Sequence, residues 1–134
     1  MKTEHEMMAL ARDRHRGGFT LLELMIIVAL IGLLSVLALP AFIQVRKQSQ
    51  GKRIVSDARV VDGAIDAWAM ENNKPDGASV DLAGAATYAK TGTLRTTDVL
   101  GNAYAIGLVG TNQVRISTNT KSALSSVSID WGAY

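Results

Sequence analysis

The sequence predicts an α+β protein in which one long N-terminal helix carries a small antiparallel sheet. An apolar stretch over residues 19–43 passes into a segment with a one-sided apolar pattern over residues 44–73, and both patterns are helical. Further on, residues 103–117 alternate between larger apolar and small or polar side chains around a glycine-containing turn, which is typical of a β-hairpin.

The composition leaves room for one small domain beyond the apolar stretch. The chain has 134 residues, 48% hydrophobic residues and a net charge of +2. Without residues 1–18 it has ten basic and nine acidic residues, which is not the basic excess of a general nucleic-acid-binding protein. There is no cysteine, and both histidines, His5 and His15, precede the apolar stretch. Because the commonest nucleophiles, bases and transition-metal ligands are absent after it, we expect no enzyme and no cofactor.

The apolar stretch is long enough to cross a membrane. Residues 19–43 number 25 and include one charge, Glu23, whereas spanning a bilayer takes about 20 residues at 1.5 Å each. A charged carboxylate costs roughly 2.5–3.5 kcal/mol at mid-membrane and less near the end, so Glu23 is expected to have a partner. Pro40 lacks an amide donor and clashes with the carbonyl of Val36, which predicts a helix kink.

The helix after the span is predicted to be amphipathic and to hold the core of a head over residues 44–134. Gly51 is a weak point and a candidate for a second bend, and a turn cluster over residues 72–77 ends the helix. The apolar residues follow steps of four and three, which is one helical stripe: Ile54, Ala58, Val61, Ile65 and Trp68.

The rest of the head is predicted to contain three short elements. Asp81 is expected to cap a helix over about residues 81–90. The β-hairpin follows over about residues 103–117, and Thr120 is a candidate cap for a turn of helix over residues 121–125. Residues 127–134 are compatible with either an edge strand or a packed tail.

The segment before the span is polar and ends in two glycines. A secretory signal peptide would have 7–15 apolar residues followed by a small-residue cleavage site. Residues 36–38 could serve as that site, but the apolar run is too long and contains Glu23. The residues alone therefore leave open whether residues 1–18 form a cytoplasmic tail or a processed leader.

The run Gly18-Phe19-Thr20-Leu21-Leu22-Glu23, followed by the apolar stretch, closely resembles the class III signal of type IV prepilins and type II secretion pseudopilins. The resemblance implies that residues 1–18 are a leader, that prepilin peptidase cuts after Gly18, and that Phe19 becomes an N-methylated terminus. It also implies that Glu23 is the assembly glutamate of the family and that Pro40 is its kinking proline. The resemblance is strong over residues 18–43 and weak over the head.

The function that the resemblance implies is structural. Pilins and pseudopilins polymerise into a type IV pilus or a type II secretion pseudopilus, with the helices of residues 19–43 in the filament core. The implied partners are prepilin peptidase, other copies or related pilins in a helical filament, the inner membrane and an assembly platform protein, and nucleic acid is not expected. The implied location is a single-pass inner-membrane anchor with the head outside the cytoplasm, in the periplasm or on a cell-surface filament.

Three arrangements could accommodate the charge of Glu23. After cleavage, the amine of Phe19 would lie one helical turn from Glu23 and on the same face, so the two charges could neutralise each other within one chain. Glu23 could instead reach the Phe19 amine of a neighbouring subunit and fix its register, which is what the resemblance implies. The third form is a carboxylate that extends to the lipid headgroups.

Four bases shortly after the span conflict with simple topology rules, since basic residues usually stay in the cytoplasm. The resemblance nevertheless implies that the head is exported. The bases could contact lipid headgroups or DNA, so the rival functions are a minor pilin-like DNA- or surface-binding module and an uncleaved single-span membrane protein. The four residues are Arg46, Lys47, Lys52 and Arg53.

The head offers little for a metal. Residues 100–104 faintly resemble the Gly-Asn-x-Tyr segment of major pseudopilin heads, which often bind calcium. Beyond Leu94, however, this chain has only Asp98 and Asp130 as carboxylates, and calcium needs six to eight oxygen ligands. We therefore expect no metal site.

Overall fold

The computed structural model describes residues 18–134, and the predicted α+β class is confirmed. Most of the predicted leader lies outside the described residues. The described residues divide into two compact units, residues 18–38 and Leu39–Tyr134. In order, the elements are α1 (Leu21–Glu71), α2 (Leu82–Ala86), β1 (Ala105–Ile106), β2 (Val114–Arg115) and α3 (Thr118–Ala123).

The N-terminal unit contains the apolar beginning of α1. Its large side chains are exposed on every side, from 42% for Ile27 to 77% for Leu21. The hydroxyl of Ser35 donates to Ile31 O at 2.7 Å, so this polar group is satisfied within the helix. A helix that is apolar all round needs a covering of lipid or of other chains.

The second unit is built on the later part of α1. The predicted core stripe from Ile54 to Trp68 is confirmed, since its five residues are at most 7% exposed. Side chains from β2 and from the residues next to β1 and α3 complete this core, among them Val114, Tyr104 and Leu124.

Trp68 is a core residue, as predicted, and α2 packs closely against it. A Cβ on Gly84 would lie 2.6 Å from Trp68 Nε1, so the indole requires a glycine at this position of α2. Lys74 lies 5.8 Å from the centre of the Trp68 ring, within range of a cation–π contact.

Helix α2 is shorter than the predicted 81–90. The predicted cap is present, since Asp81 Oδ1 accepts a hydrogen bond from Ala83 N at 3.0 Å. After Ala86, the amides of Thr87, Tyr88 and Ala89 bond three residues back instead of four. The chain therefore tightens into turns up to Gly92 and leaves the α-helical geometry.

The sheet is small and antiparallel. β1 pairs with β2 so that Ala105 lies opposite Arg115 and Ile106 opposite Val114. Both strands lie inside the predicted hairpin. An isolated bridge between Thr97 and Ala103 adds further antiparallel pairing outside the named strands.

The predicted cap of the last helix is wrong. α3 begins at Thr118, and Ser117 Oγ is the cap because it accepts a hydrogen bond from Asn119 N at 3.2 Å. The hydroxyl of Thr120 is fully buried and donates to Asp98 Oδ2 instead.

The segment after α3 is a packed tail without strand pairing in the part of the chain described here. Ile129 packs on Gly51, where a Cβ would lie 2.8 Å from Ile129 Cγ1. At the end of the tail, the Tyr134 hydroxyl donates to Asp62 Oδ2 at 3.1 Å. α1 stays helical through Gly51, and this glycine makes room for the tail.

Candidate processing and assembly site

The residues predicted to be processed precede the first helix. Gly18, Phe19 and Thr20 are exposed and not helical, and α1 begins at Leu21. Exposed chain outside regular structure is where peptidases cut most readily. The Gly18–Phe19 peptide bond is thus accessible.

Gly18 has no structural reason to be glycine within the described chain. No atom lies within 4 Å of the position that its Cβ would occupy. Gly51 and Gly84, by contrast, are both in close contact with other side chains.

Glu23 forms a capping box with Thr20 at the start of α1. Glu23 Oε2 accepts hydrogen bonds from Thr20 N at 2.8 Å and from Thr20 Oγ1 at 3.0 Å. In return, Glu23 N donates to Thr20 Oγ1 at 3.2 Å. Such a reciprocal pair supplies hydrogen-bond acceptors to backbone amides that have none within the helix. The negative carboxylate is also stabilised by the positive end of the helix dipole.

The capping box was missed by our sequence analysis, although its signal was present. Thr20-x-x-Glu23 directly before an apolar run is the sequence pattern of this motif. In the described chain the structure thus pairs Glu23 with Thr20. Glu23 Oε1 takes part in none of the three bonds, so one carboxylate oxygen remains for a second partner.

One of the four basic residues after the span is hydrogen-bonded within the head, and the other three are exposed. Lys47 Nζ donates to Ser126 Oγ at 2.9 Å and is half-buried. Arg46, Lys52 and Arg53 are exposed. Pro40 lies inside α1, and its kinking role stays a prediction.

Both carboxylate oxygens of Asp98, one of the two acidic residues considered for calcium, accept hydrogen bonds from other residues of the chain. Its Oδ1 accepts from Leu100 N at 2.8 Å and from Asn102 N at 2.9 Å. Its Oδ2 accepts from Thr120 Oγ1. Over residues 18–134, no three His, Cys, Asp or Glu side chains are grouped so that they could hold a metal ion.

Fold and site together define an α+β protein whose exposed apolar helix begins at a capping box, two residues after an accessible glycine. The sequence profile of the prokaryotic N-terminal methylation motif matches residues 13–39. The beginning of this chain is therefore a prepilin-type methylation motif, of the kind that type IV pilins and type II secretion pseudopilins carry.

Several curated proteins are similar over the N-terminal part. Fimbrial protein Q of Moraxella bovis is 43% identical over 58 residues, which are 43% of this chain and 37% of that protein. The type IV major alpha-pilin of Moraxella bovis is 41% identical over 58 residues, 43% of this chain and 36% of that protein. Type II secretion system core protein G of Aeromonas hydrophila is 31% identical over 63 residues, 47% of this chain and 44% of that protein.

The chain thus spans less than half the length of these relatives. No solved structure matches it.

Proposed function

We propose that this chain is a structural subunit, a pilin or pseudopilin, of a type IV pilus or a type II secretion pseudopilus. Prepilin peptidase cleaves it after Gly18 and methylates Phe19, and the product polymerises into a helical filament. The observation that carries the proposal is the accessible Gly18–Phe19 bond just before a capped helix whose apolar beginning is exposed, within the matched methylation motif.

Cleavage after Gly18 is supported by the free space around this glycine. Neither packing nor backbone conformation within the described chain requires glycine there, so a role for this glycine would lie in recognition by a partner. A peptidase that accepts only glycine before the cut is such a partner.

Membrane insertion is supported by the apolar helix. α1 is the one helix of the described residues that is long and apolar enough to cross a bilayer, and none of its apolar window is buried. In the proposed topology the helix anchors the subunit once in the inner membrane, with the head outside the cytoplasm. An assembly platform protein then moves the subunit from the bilayer into the filament.

Assembly is supported by the same exposed surface. Apolar side chains that leave lipid must be covered by other apolar surface, and the corresponding helices of further copies offer it. Glu23 then pairs with the free Phe19 amine of a neighbouring copy and fixes the register. Away from water, opposite charges in contact attract strongly, whereas a charge without its partner is unfavourable. A neighbouring copy in a different axial register would leave Glu23 without the Phe19 amine and is therefore disfavoured.

The test must separate the capping role of Glu23 from the proposed register role. We expect the full-length Glu23→Ala variant to be cleaved normally and to form no filaments when it is the only subunit. Thr20→Val removes the hydroxyl of the capping box but keeps the Glu23 carboxylate, and we expect it to retain filaments.

The readouts are the mass of the mature subunit and the amount of sheared filament from cells that contain the peptidase and the assembly machinery. Normal filaments from Glu23→Ala would refute the register role. Loss of filaments from Thr20→Val as complete as that from Glu23→Ala would refute it too, because helix capping would then explain both variants.

A further inference from the structure

We propose that a polar groove between α1 and the tail, directly after the apolar run, binds the headgroup of an anionic phospholipid while the subunit is in the bilayer. This inference rests on the membrane insertion of the proposed function, and it adds a ligand and a site in the head. The part of the groove nearest the apolar run, the headgroup groove, is lined by Gln44, Val45, Gln48, Ser126, Val127 and Ser128.

The headgroup groove begins where the apolar run ends. Phe42 and Ile43 are the last residues of that run and are exposed, and Gln44 is the next residue. Gln48 lies five residues beyond Ile43, which is about 7.5 Å along a helix. The polar layer of a bilayer is about 5–7 Å thick on each side, since the whole measures about 40–45 Å and the hydrocarbon core about 30 Å. The groove therefore lies at the level of the headgroups.

The lining of the headgroup groove suits the oxygens of a phosphate diester. The groove has a volume of about 280 Å³, and its polar groups are the amides of Gln44 and Gln48 and the hydroxyls of Ser126 and Ser128. Amide and hydroxyl groups donate hydrogen bonds to phosphate oxygens. All four residues are exposed, so a lipid can reach them. Val45 is 64% exposed and offers apolar surface to the glycerol and the first methylenes of the lipid.

Lys47 places a positive charge next to the headgroup groove. Its Nζ donates to Ser126 Oγ at 2.9 Å. This bond uses a lone pair of the hydroxyl, so the Ser126 proton is available to donate to a ligand. The ammonium group polarises the hydroxyl, which strengthens the bond to a negative oxygen.

A second base stands at the other end of the headgroup groove. A depression of about 280 Å³ continues the groove, since the two share Gln48 and Ser128, and Lys52 lines this depression. Because the side chains of an α-helix lean toward its N-terminus, Lys52 extends toward the apolar run. A phosphate in the groove would lie between two ammonium groups.

The charges around the site favour an anion. Arg59 and Asp130 also line the depression, with opposite charges, and Arg59 lies seven residues farther from the apolar run than Lys52. Together with Lys47 this makes three bases and one acid. Among the described residues, none that lines the headgroup groove itself is acidic.

The position of the site selects a lipid over a soluble anion. A bilayer presents a phosphate at this level in every phospholipid, whereas a soluble anion must arrive from water. An anionic lipid brings the phosphate without the positive group that would oppose Lys47 and Lys52. Each base near an anionic surface strengthens association about fivefold.

Lipid selectivity of the full-length chain tests the site. The chain is reconstituted in phosphatidylcholine vesicles that contain a trace of chain-labelled phosphatidylglycerol or, for comparison, chain-labelled phosphatidylcholine. Electron spin resonance then gives the fraction of each probe held at the protein. We expect phosphatidylglycerol to associate about fivefold more strongly or better.

The matched variants differ in flank and hardly in depth. Lys52 and Arg53 are exposed neighbours on α1, and their side chains point about 100° apart. Of the two, Lys52 lines the groove and its continuation. We expect Lys52→Gln to lower the preference for phosphatidylglycerol about fivefold and Arg53→Gln to leave most of it. The bases before the span are the same in both variants, so they cancel in this comparison.

Photolabelling locates the lipid. A phosphatidylglycerol probe with a photoreactive group on its headgroup should label residues 126–128 of the reconstituted chain, which are far from the span in sequence but line the groove. Peptide mass spectrometry identifies the labelled residues. Thermal unfolding in detergent shows that the head of each variant still folds.

The outcomes separate this site from the proposed function. If alkaline extraction removes the chain from the vesicles, membrane insertion fails and the lipid site with it. If the chain stays inserted but shows no preference for phosphatidylglycerol, or leaves residues 126–128 unlabelled, insertion stands and the site is wrong. Equal losses from Lys52→Gln and Arg53→Gln would also overturn the site, because a diffuse attraction would then explain the preference.

Discussion

At the scale of single residues, Glu23 has a structural task before any assembly. It closes a capping box with Thr20 at the first turn of α1. The box explains how a lone carboxylate is accommodated near the start of an apolar helix. It also leaves Oε1 outside the three capping bonds, so capping and the proposed intersubunit contact can coexist.

Tyr104 is a second residue whose environment has a measurable effect. Its hydroxyl donates to Ile54 O at 3.3 Å. Burial, and then the negative charges of Asp57 and Asp98, raise the pKa of Tyr104 to about 12. The phenol of the unfolded chain ionises near pH 10. The folded state therefore keeps this proton to a higher pH than the unfolded chain does. The contribution of Tyr104 to the free energy of unfolding is present below about pH 10 and is lost as the pH rises to about 12.

We predict that Tyr104→Phe reduces this fall in the free energy of unfolding at alkaline pH. At about pH 8 the variant should be less stable by about 0.5–1.5 kcal/mol, because the hydrogen bond to Ile54 is missing. Between about pH 10 and 12 its free energy of unfolding should fall less steeply than that of the parent chain. Denaturant unfolding of the full chain in detergent measures both, with the more exposed Tyr88→Phe as control. Equal slopes for Tyr104→Phe and the parent would contradict the prediction.

Residue-level features were predictable where the signal was local. Thr20-x-x-Glu23 could be read as a capping box, and Asp81 was predicted correctly as a cap. The cap at Thr120 was wrong, because its hydroxyl bonds to Asp98, 22 residues earlier in the chain. No local pattern contains that contact. The assignments of Gly18, Phe19 and Glu23 to processing and assembly stay predictions.

At the scale of elements, Gly51 sets how closely the tail approaches α1. A Cβ there would overlap Ile129, whereas a Cβ on Gly63 of the same helix would meet nothing within 4 Å. We predict that Gly51→Ala lowers the free energy of unfolding by about 1–3 kcal/mol through overpacking. The matched control Gly63→Ala should raise it by about 0.5–1 kcal/mol, because alanine favours the helix. A stabilising Gly51→Ala, measured in the same unfolding experiment, would contradict the close approach.

The attachment of α3 depends on a buried hydroxyl. Thr120 Oγ1 donates to Asp98 Oδ2 and accepts from Asn102 Nδ2 at 2.9 Å. Thr120→Val should cost about 1–3 kcal/mol of unfolding free energy, since it leaves buried polar groups without partners. Thr118→Val, an exposed position on α3, should change it by no more than about 0.5 kcal/mol. Equal effects of the two substitutions would show that the network contributes nothing.

Periodicity predicted the long elements better than the short ones. The stripe from Ile54 to Trp68 repeats over four turns, and each repeat reinforces the helical pattern. The strands β1 and β2 have two residues each, and the length of α2 depends on a few competing turn bonds. The contact of Gly51 with Ile129 joins positions 78 residues apart, which composition and spacing do not encode.

At the scale of the whole molecule, the two units have different demands on their surroundings. The unit from Leu39 to Tyr134 buries its own core, but the apolar helix before it buries none of its large side chains. In the proposed function, lipid covers this helix before assembly and other copies cover it afterwards. One sequence serves both states because a bilayer and a bundle of apolar helices are alike in polarity.

The central claim is that this chain is cleaved after Gly18 to release the subunit that assembles. The most direct measurement is the intact mass and N-terminal sequence of the full-length product from cells that contain prepilin peptidase. We predict a mature chain that begins at Phe19 and carries one added methyl group, while cells without the peptidase retain residues 1–18. A protein that still begins at Met1 in the presence of the active peptidase would contradict the account.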